Sequence, residues 1–248
     1  MSDLTVEEPR AALAPSLERA TVDHEGEVID VVELAPELKM TIIRLHMQAE
    51  FRPGQYAVLN LADGLRRCYS MAGLPGSDTV SFVTRRYPGG AGSQRLHSLT
   101  TGSRITLELP YGDMWLRPTS DPVVLIAGGT GISPVLSLAN ELAGTPEDRP
   151  VRAFYGAARP GDLVCSEELG ALLEKLPDSA LHLGAATADP QWAGAVGFVT
   201  DLLRDNLDLP WEVARYYLAG PPAMADAVLA LLKARGVPND RIHYDRFG

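Results

Sequence analysis

The chain has 248 residues, enough for one large or two modest domains. Its net charge of −10 argues against nucleic acid as a partner, because binding a phosphate backbone needs a concentrated basic face. Its two cysteines, Cys68 and Cys165, exclude a disulfide framework and cannot supply the four thiolates of a protein-held iron–sulfur cluster.

Residues 1–20 are polar, rich in Pro and Ala, and read as a loose arm. They show no apolar h-region of the kind a signal peptide carries. No apolar run in the chain approaches the ~20 residues of a membrane span. The expectation is a cytoplasmic protein without a membrane partner. From Thr21 the texture changes. Segments 27–34, 40–45, 56–61, 80–84 and 104–109 are short and rich in β-branched residues. Turn signals such as Pro53-Gly54, Asp63-Gly64 and Pro75-Gly76 punctuate them. This spacing predicts an antiparallel barrel or sandwich over residues 21–118.

Within that unit, Arg66-Arg67-Cys68-Tyr69-Ser70 ends a strand. Such a segment can meet a charged, planar ligand along its length. Arg67 can pair with phosphate, Tyr69 can lie against a ring system, and Ser70 can hydrogen-bond a ring nitrogen. The same residues also suit a plain strand with one buried Tyr and exposed Arg. Cys68 points opposite to Tyr69 in a strand and is assigned to the barrel core.

Pro118 and Pro122 mark a boundary, and residues 121–248 read differently. The apolar run 123–127 leads into Gly128-Gly129-Thr130-Gly131, then into a helical pattern at Val135, Leu136, Ala139 and Leu142. Further strands are expected at 151–155, 180–184 and 216–219, and helices at 167–175, 199–206 and 222–235. This alternation predicts a parallel sheet with helices on both faces. The glycine turn lets backbone approach a phosphate, and the helix start beyond it offers free N–H groups. Thr130 and Ser133 add hydroxyl donors, and Pro134 suits a first helical turn. The spacing is neither G-x-G-x-x-G nor a Walker loop, and a turn needing glycine for geometry alone fits it too. The five histidines, at 24, 46, 97, 182 and 243, show no metal-ligand spacing, so no metal is expected. Trp115 and Trp192 read as packing residues. Cys165 has no basic neighbour in sequence to make it reactive.

Six motifs follow in order: R-x-Y-S at 67–70, P-x-G-x-x-S at 88–93, P-Y-G at 110–112, G-G-T-G-I-S-P at 128–134, Y-G-A at 155–157 and A-G-P-P-x-M at 219–224. Together they resemble the ferredoxin–NADP reductase superfamily, in particular the flavin/NAD(P)H reductase components of bacterial multicomponent oxygenases. The resemblance covers roughly residues 27–247. It implies a Greek-key flavin-binding β-barrel followed by a Rossmann-like doubly wound parallel sheet. It gives Arg67 the flavin pyrophosphate, Tyr69 the flavin face, and Ser70 a hydrogen bond near flavin N5. Arg85, Gly90 and Ser93 match a second phosphate-binding segment, which favours FAD over FMN. Gly129, Thr130 and Gly131 match the segment near the nicotinamide, and Gly220 and Pro221 the motif before Met224. Ala219 stands where many relatives carry Cys, so no thiol takes part there. Arg152 and Arg159 are placed near a strand end where a 2′-phosphate would sit, which favours NADPH; the resemblance itself favours NADH. Asp245 is expected near Ser70, and Phe247 over the flavin face. Ser70, Thr130, Asp245 and Phe247 form the candidate catalytic set. The implied cofactors are FAD and NADH, with NADPH open. The implied chemistry is hydride transfer from NADH to FAD, then single electrons to a ferredoxin or oxygenase component on a separate chain. Two alternatives are a flavin reductase releasing free reduced flavin and a non-catalytic nucleotide-binding flavoprotein subunit.

Overall fold

The computed structural model describes residues 20–145 and 148–246. The loose arm expected at 1–20 therefore lies outside the described residues except for Ala20, and Phe247 lies outside as well.

The first sheet contains β1 (Val22–Ala35), β2 (Leu38–Leu45), β3 (Tyr56–Ala62), β4 (Leu65–Ser70), β5 (Thr79–Arg85) and β6 (Arg104–Tyr111). Its order is β4-β3-β6-β1-β2-β5, and every ladder is antiparallel. Alternate residues turn inward, as a period of two requires. Ala57, Leu59 and Leu61 of β3 and Ile105, Leu107 and Leu109 of β6 bury around Phe82, Met71 and Leu96. The sheet curls until its two edges meet, with Tyr69 of β4 edge-on to Phe82 of β5 at 6.5 Å between ring centroids. No ladder joins β4 to β5 among the described residues, so the sheet forms a half-barrel. The short helix α1 (Ala91–His97) bridges the strands near this gap. His97 Nε2 meets Thr84 Oγ1 of β5 at 3.1 Å, and Arg95 Nε donates to the Leu61 carbonyl of β3 at 2.9 Å.

The second sheet contains β7 (Val123–Gly128), β8 (Val151–Ala157), β9 (Ser179–Ala185), β10 (Ala195–Val196), β11 (Arg215–Ala219) and β12 (Ile242–Tyr244). All its ladders are parallel, in the order β10-β9-β8-β7-β11-β12. Its helices are α2 (Ile132–Gly144), α3 (Ser166–Leu173), α4 (Val199–Asn206) and α5 (Pro222–Ala234). Strand β7 is apolar throughout because both its faces are covered. Val123, Leu125 and Ala127 pack with α2 and α3; Val124 and Ile126 pack with α4 and α5.

Strand β5 joins the two sheets. Phe82 faces the half-barrel core, while Val83 points the other way into the cluster that holds Val135 and Leu138 of α2. Ser133 Oγ accepts the Val83 N–H at 3.1 Å, and Ser137 Oγ donates to the Gly73 carbonyl. In the connection between β6 and β7, Trp115 lies between the guanidinium groups of Arg52 and Arg117, at 3.7 and 3.8 Å.

Gly54 has φ +97°, and a Cβ there would lie 2.0 Å from the Met114 carbonyl oxygen and 3.1 Å from Leu138 of α2. Gly54→Ala combines an unfavourable φ with a backbone clash. It should lower the unfolding free energy by about 3 kcal/mol in urea titration. A loss below about 1 kcal/mol would show that the junction is looser than described.

Candidate active site

A cleft of about 460 Å³ opens between β4, β5, the start of α1 and the glycine turn after β7. Arg67, Tyr69, Arg85, Gly90, Ser93 and Thr130 all line it. The first five come from the first sheet and its helix connection, and Thr130 from the second sheet.

Arg67 is exposed, and its Nη1 donates to the carbonyl of Arg66 at 2.8 Å. No carboxylate pairs with it among the ion pairs of the described residues. Its stem crosses Gly92, where a Cβ would stand 2.6 Å from Arg67 Cγ. The bare Gly92 thus sets where Arg67 can lie. Ser93 Oγ accepts the Tyr87 N–H and donates to the Gly90 carbonyl, both at 3.0 Å. Its hydroxyl therefore shapes the loop, and the loop leaves Gly89 at φ +78°. Tyr69 stands between this cleft and the core, and burial pushes its phenol pKa up, so the ring stays neutral.

Cys68 is exposed, contrary to its expected place in the core. Strand alternation does set it opposite to Tyr69. It is Tyr69 that packs against the half-barrel core, which turns Cys68 outward on an edge strand.

Ser70 closes β4 and pairs across the ladder with Tyr56. Asp245 follows β12 and reaches the first sheet from the second at Gly112, beside Tyr56. A Cβ on Gly112 would lie 2.4 Å from Asp245 Oδ2 and 2.8 Å from Tyr56 Cδ1, so only glycine lets the carboxylate in. Asp245 Oδ1 accepts the Asp113 N–H at 3.1 Å, while Oδ2 is buried without a partner among the described residues. Burial pushes the Asp245 pKa up to about 6, with the neighbouring Asp113 charge adding to the rise against the backbone N–H groups of Asp113 and Met114.

In the second sheet, β7 runs through a 3-10 turn at Gly129–Gly131 into α2. Gly129 has φ +52° and open space where a Cβ would stand. A Cβ on Gly131 would meet the Ala219 carbonyl oxygen at 2.2 Å. Cβ atoms on Gly128 and Gly220 would meet Met224 Sδ at 2.1 Å and Cε at 2.4 Å. The ends of β7 and β11 therefore close on each other without room for side chains. Pro221 follows as the cap of α5. Strand order reverses here, with α2 and α5 leaving on opposite faces, which is where open α/β sheets form their ligand crevice. The Tyr155 hydroxyl reaches the carbonyls of Gly129 at 3.2 Å and Asp162 at 3.3 Å, tying the turn to the loop after β8.

Two further expectations are corrected. Arg152 lies at the start of β8, the end opposite to the crevice. It is held there by Asp208 at 2.7 Å and Asp178 at 2.8 Å, so it cannot meet a nucleotide bound at the strand's far end. Ser133 is buried, and its hydroxyl is committed to Val83 rather than free for phosphate. Arg159 does lie beyond the C-terminal end of β8, paired with Asp162, and Arg85 pairs with the same carboxylate. Gly92 is the site neighbour missing from the sequence expectations. A glycine-rich stretch does not show which glycine bears a neighbouring side chain, and no local pattern links Arg85 to Asp162.

Comparison with known proteins agrees with this geometry. Residues 25–115 match the oxidoreductase FAD-binding domain family, and residues 125–230 the oxidoreductase NAD-binding domain family. The chain is 33% identical to the ferredoxin–NAD(P)(+) reductase component of a naphthalene 1,2-dioxygenase/salicylate 5-hydroxylase system from Ralstonia, over 90% of this chain and 68% of that protein. It is 38% identical to the propane 2-monooxygenase reductase component of Mycolicibacterium goodii, over 80% of this chain and 59% of that protein. The chain thus spans 59–68% of the length of these two relatives. The solved structure of the ferredoxin reductase in carbazole 1,9a-dioxygenase superposes with a TM-score of 0.84 at 31% identity, over 92% of this chain and 70% of that one. The chain belongs to the family of FAD- and NAD-binding oxidoreductases that includes the reductase components of oxygenase systems. No described helix is long and apolar enough to cross a membrane.

The Asp245 carboxyl gives a pH test. Its folded pKa of about 6 lies above its unfolded 3.8, so the folded state loses stability as pH rises through this window. The cost is absent below about pH 4, complete above pH 6, and at most about 2–3 kcal/mol. His243, lowered to about 4 mainly by burial, acts in the opposite sense, losing stability as pH falls from 6.5. It is common to both proteins and cancels in a comparison. Asp245→Asn should therefore raise the unfolding free energy at pH 8 and change it little at pH 4. Equal effects at both pH values would contradict a strained carboxylate.

Proposed function

We propose that the chain is a cytoplasmic flavin-dependent NAD(P)H reductase. It takes hydride from the nicotinamide nucleotide and delivers single electrons to a ferredoxin or oxygenase component on a separate chain. One observation carries this reading: Thr130 of the nucleotide-binding turn lines the same cleft as Arg67 and Tyr69. The residues present fit both cofactors. An exposed arginine with no carboxylate partner among the described residues stands beside a loop of small residues, and a glycine turn with open space stands opposite. In this reading residues 21–118 hold FAD and residues 121–248 hold the nucleotide.

FAD, when bound, supplies the conversion of a hydride into single electrons. The protein supplies binding and alignment. Arg67 holds the pyrophosphate, helped by the backbone around Gly90 and Ser93. Tyr69 presents a flat neutral face to the ring system, and Ser70 a hydroxyl at its edge. Gly129, Thr130 and Gly131 hold the nicotinamide end, and the close approach at Gly220 and Pro221 shapes its floor. Arg85 braces the cleft wall through Asp162. Asp245, ionising near neutral pH, holds or releases a proton at Oδ2. The named roles of the relatives support this reading, since they are reductase components of oxygenase systems.

Purified protein should be yellow and should bleach when NADH or NADPH is added without oxygen. Colourless protein that works only with added riboflavin or FMN would point to a flavin reductase. Yellow protein that neither nucleotide bleaches would contradict catalysis. Arg67→Ala removes a charge-assisted contact and Gly92→Ala displaces it. Each should weaken FAD retention by about 10–100-fold, measured from flavin released on dilution. Unchanged retention in both would remove Arg67 from the site.

A further inference from the structure

One buried carboxylate stands between the two sheets and holds two guanidinium groups. Asp162 ends the 3-10 turn Pro160–Asp162 after β8, and 4% of its side chain is exposed. Its Oδ1 meets Arg85 Nη2, from the last residue of β5, at 3.2 Å and Arg159 Nη2 at 3.1 Å. Arg159 Nε donates to Oδ2 at 3.2 Å. Burial hinders ionisation of Asp162, but the hydrogen bonds from Arg159 and Arg85 outweigh it and hold its pKa below the usual carboxylate range. The carboxylate is therefore charged at neutral pH. Two cations on one anion leave the cluster with a net positive charge. Glu37, another carboxylate within reach of the Arg85 charge, is already held by Arg86 at 2.7 Å. The surplus charge stands at the site. Arg85 lines the same cleft as Arg67, Tyr69 and Thr130. Its side chain is 21% exposed, so water screens it only in part, whereas Arg159 is 62% exposed. The Tyr155 hydroxyl joins the Asp162 carbonyl to that of Gly129, which holds the cluster against the glycine turn.

We infer that this net-positive cluster raises the reduction potential of flavin bound in the cleft, and that Asp162 and Arg159 set how far. This rests on the flavin-binding reading of the cleft. Hydride carries two electrons and one proton. Its transfer therefore takes a negative charge from the nicotinamide, whose ring is left a cation, to a flavin ring that was neutral. A positive charge on the cleft wall stabilises the reduced flavin more than the oxidised one. Such a difference between two states is what shifts an equilibrium. Asp162 limits the effect by cancelling one guanidinium charge. Arg159 restores it by sharing Asp162 with Arg85. Neither residue touches the flavin in this scheme; both act through Arg85 as positioning residues.

The test is the reduction potential of the flavin-loaded protein, measured at pH 8 by equilibration with a redox dye, without oxygen or nucleotide. Asp245, with its pKa of about 6, stays ionised at that pH. Asp162→Asn leaves both guanidinium charges uncancelled. It should raise the potential by about 30 mV, a tenfold change in the two-electron equilibrium. Arg159→Gln leaves a neutral pair of Arg85 and Asp162. It should lower the potential by about threefold in the same equilibrium, a smaller step because Arg159 is largely exposed. The double variant Asp162→Asn, Arg159→Gln should fall between the two. A merely structural brace predicts instead that both single variants, which break the same pair, shift the potential in one direction. Shifts of the same sign would overturn the inference. If Asp162→Asn does not fold, Arg159→Gln decides: a lowered potential supports the inference, and an unchanged or raised one overturns it. Wild type that holds no flavin would instead overturn the flavin-binding reading beneath it.

Discussion

The site depends on the seating of α2 against β5. Neither sheet alone makes the cleft: Arg67, Tyr69, Arg85, Gly90 and Ser93 come from one, and Thr130 from the other. What fixes their spacing is a buried joint, with Val83 packed among Val135 and Leu138 and two serine hydroxyls bridging to the first sheet. Apolar burial supplies most of the joint's stability, and each serine bond adds about 1 kcal/mol net. Their directionality matters more than their strength. Ser133 is the second residue of α2, directly after the glycine turn, so the bond to Val83 fixes the turn relative to β5. A donor turn and an acceptor cleft built on separate sheets need such a register, since misplacement by about 1 Å costs a reaction about 10²-fold.

Charge is distributed unevenly over this frame. Among the described residues no carboxylate pairs with Arg67 in the cleft, while Arg85 and Arg159 share Asp162. Arg152 is saturated by two aspartates at the far end of its strand. An arginine in the sequence is thus a ligand for phosphate only where the fold leaves it unpaired. Asp245 is the opposite case, a carboxylate buried over Gly112 with one oxygen unpartnered. A protein tolerates that cost where the group has a task, and a carboxyl that ionises near neutrality beside the ladder of Ser70 and Tyr56 is placed to have one.

Much of this was legible in the residues. The two-residue period of β3 and β6 and the unbroken apolar run of β7 follow directly from one-sided and two-sided burial. The motif order by itself points to the flavin and nucleotide families. Short elements were not legible: β10 and β12 have two and three residues, too few to show a period, and α1 buries only Gly92 and Leu96. Cys68 shows a subtler limit. Alternation tells which residues oppose each other, yet the inward face is set by what lies above the strand. Arg152 and Ser133 show the same for polar groups. Their types suggested phosphate, and their partners, distant in sequence, had already claimed them.

The joint between the sheets is the claim on which the rest stands, and one kinetic measurement reaches it directly. The double variant Ser133→Ala, Ser137→Ala removes both directional bonds and touches neither cleft nor crevice lining. Stopped-flow mixing of its flavin-loaded form with NADH in the absence of oxygen should show flavin retained but bleaching slowed by about tenfold or more. Bleaching at the wild-type rate would contradict a site whose alignment is set by the seating of α2 on β5.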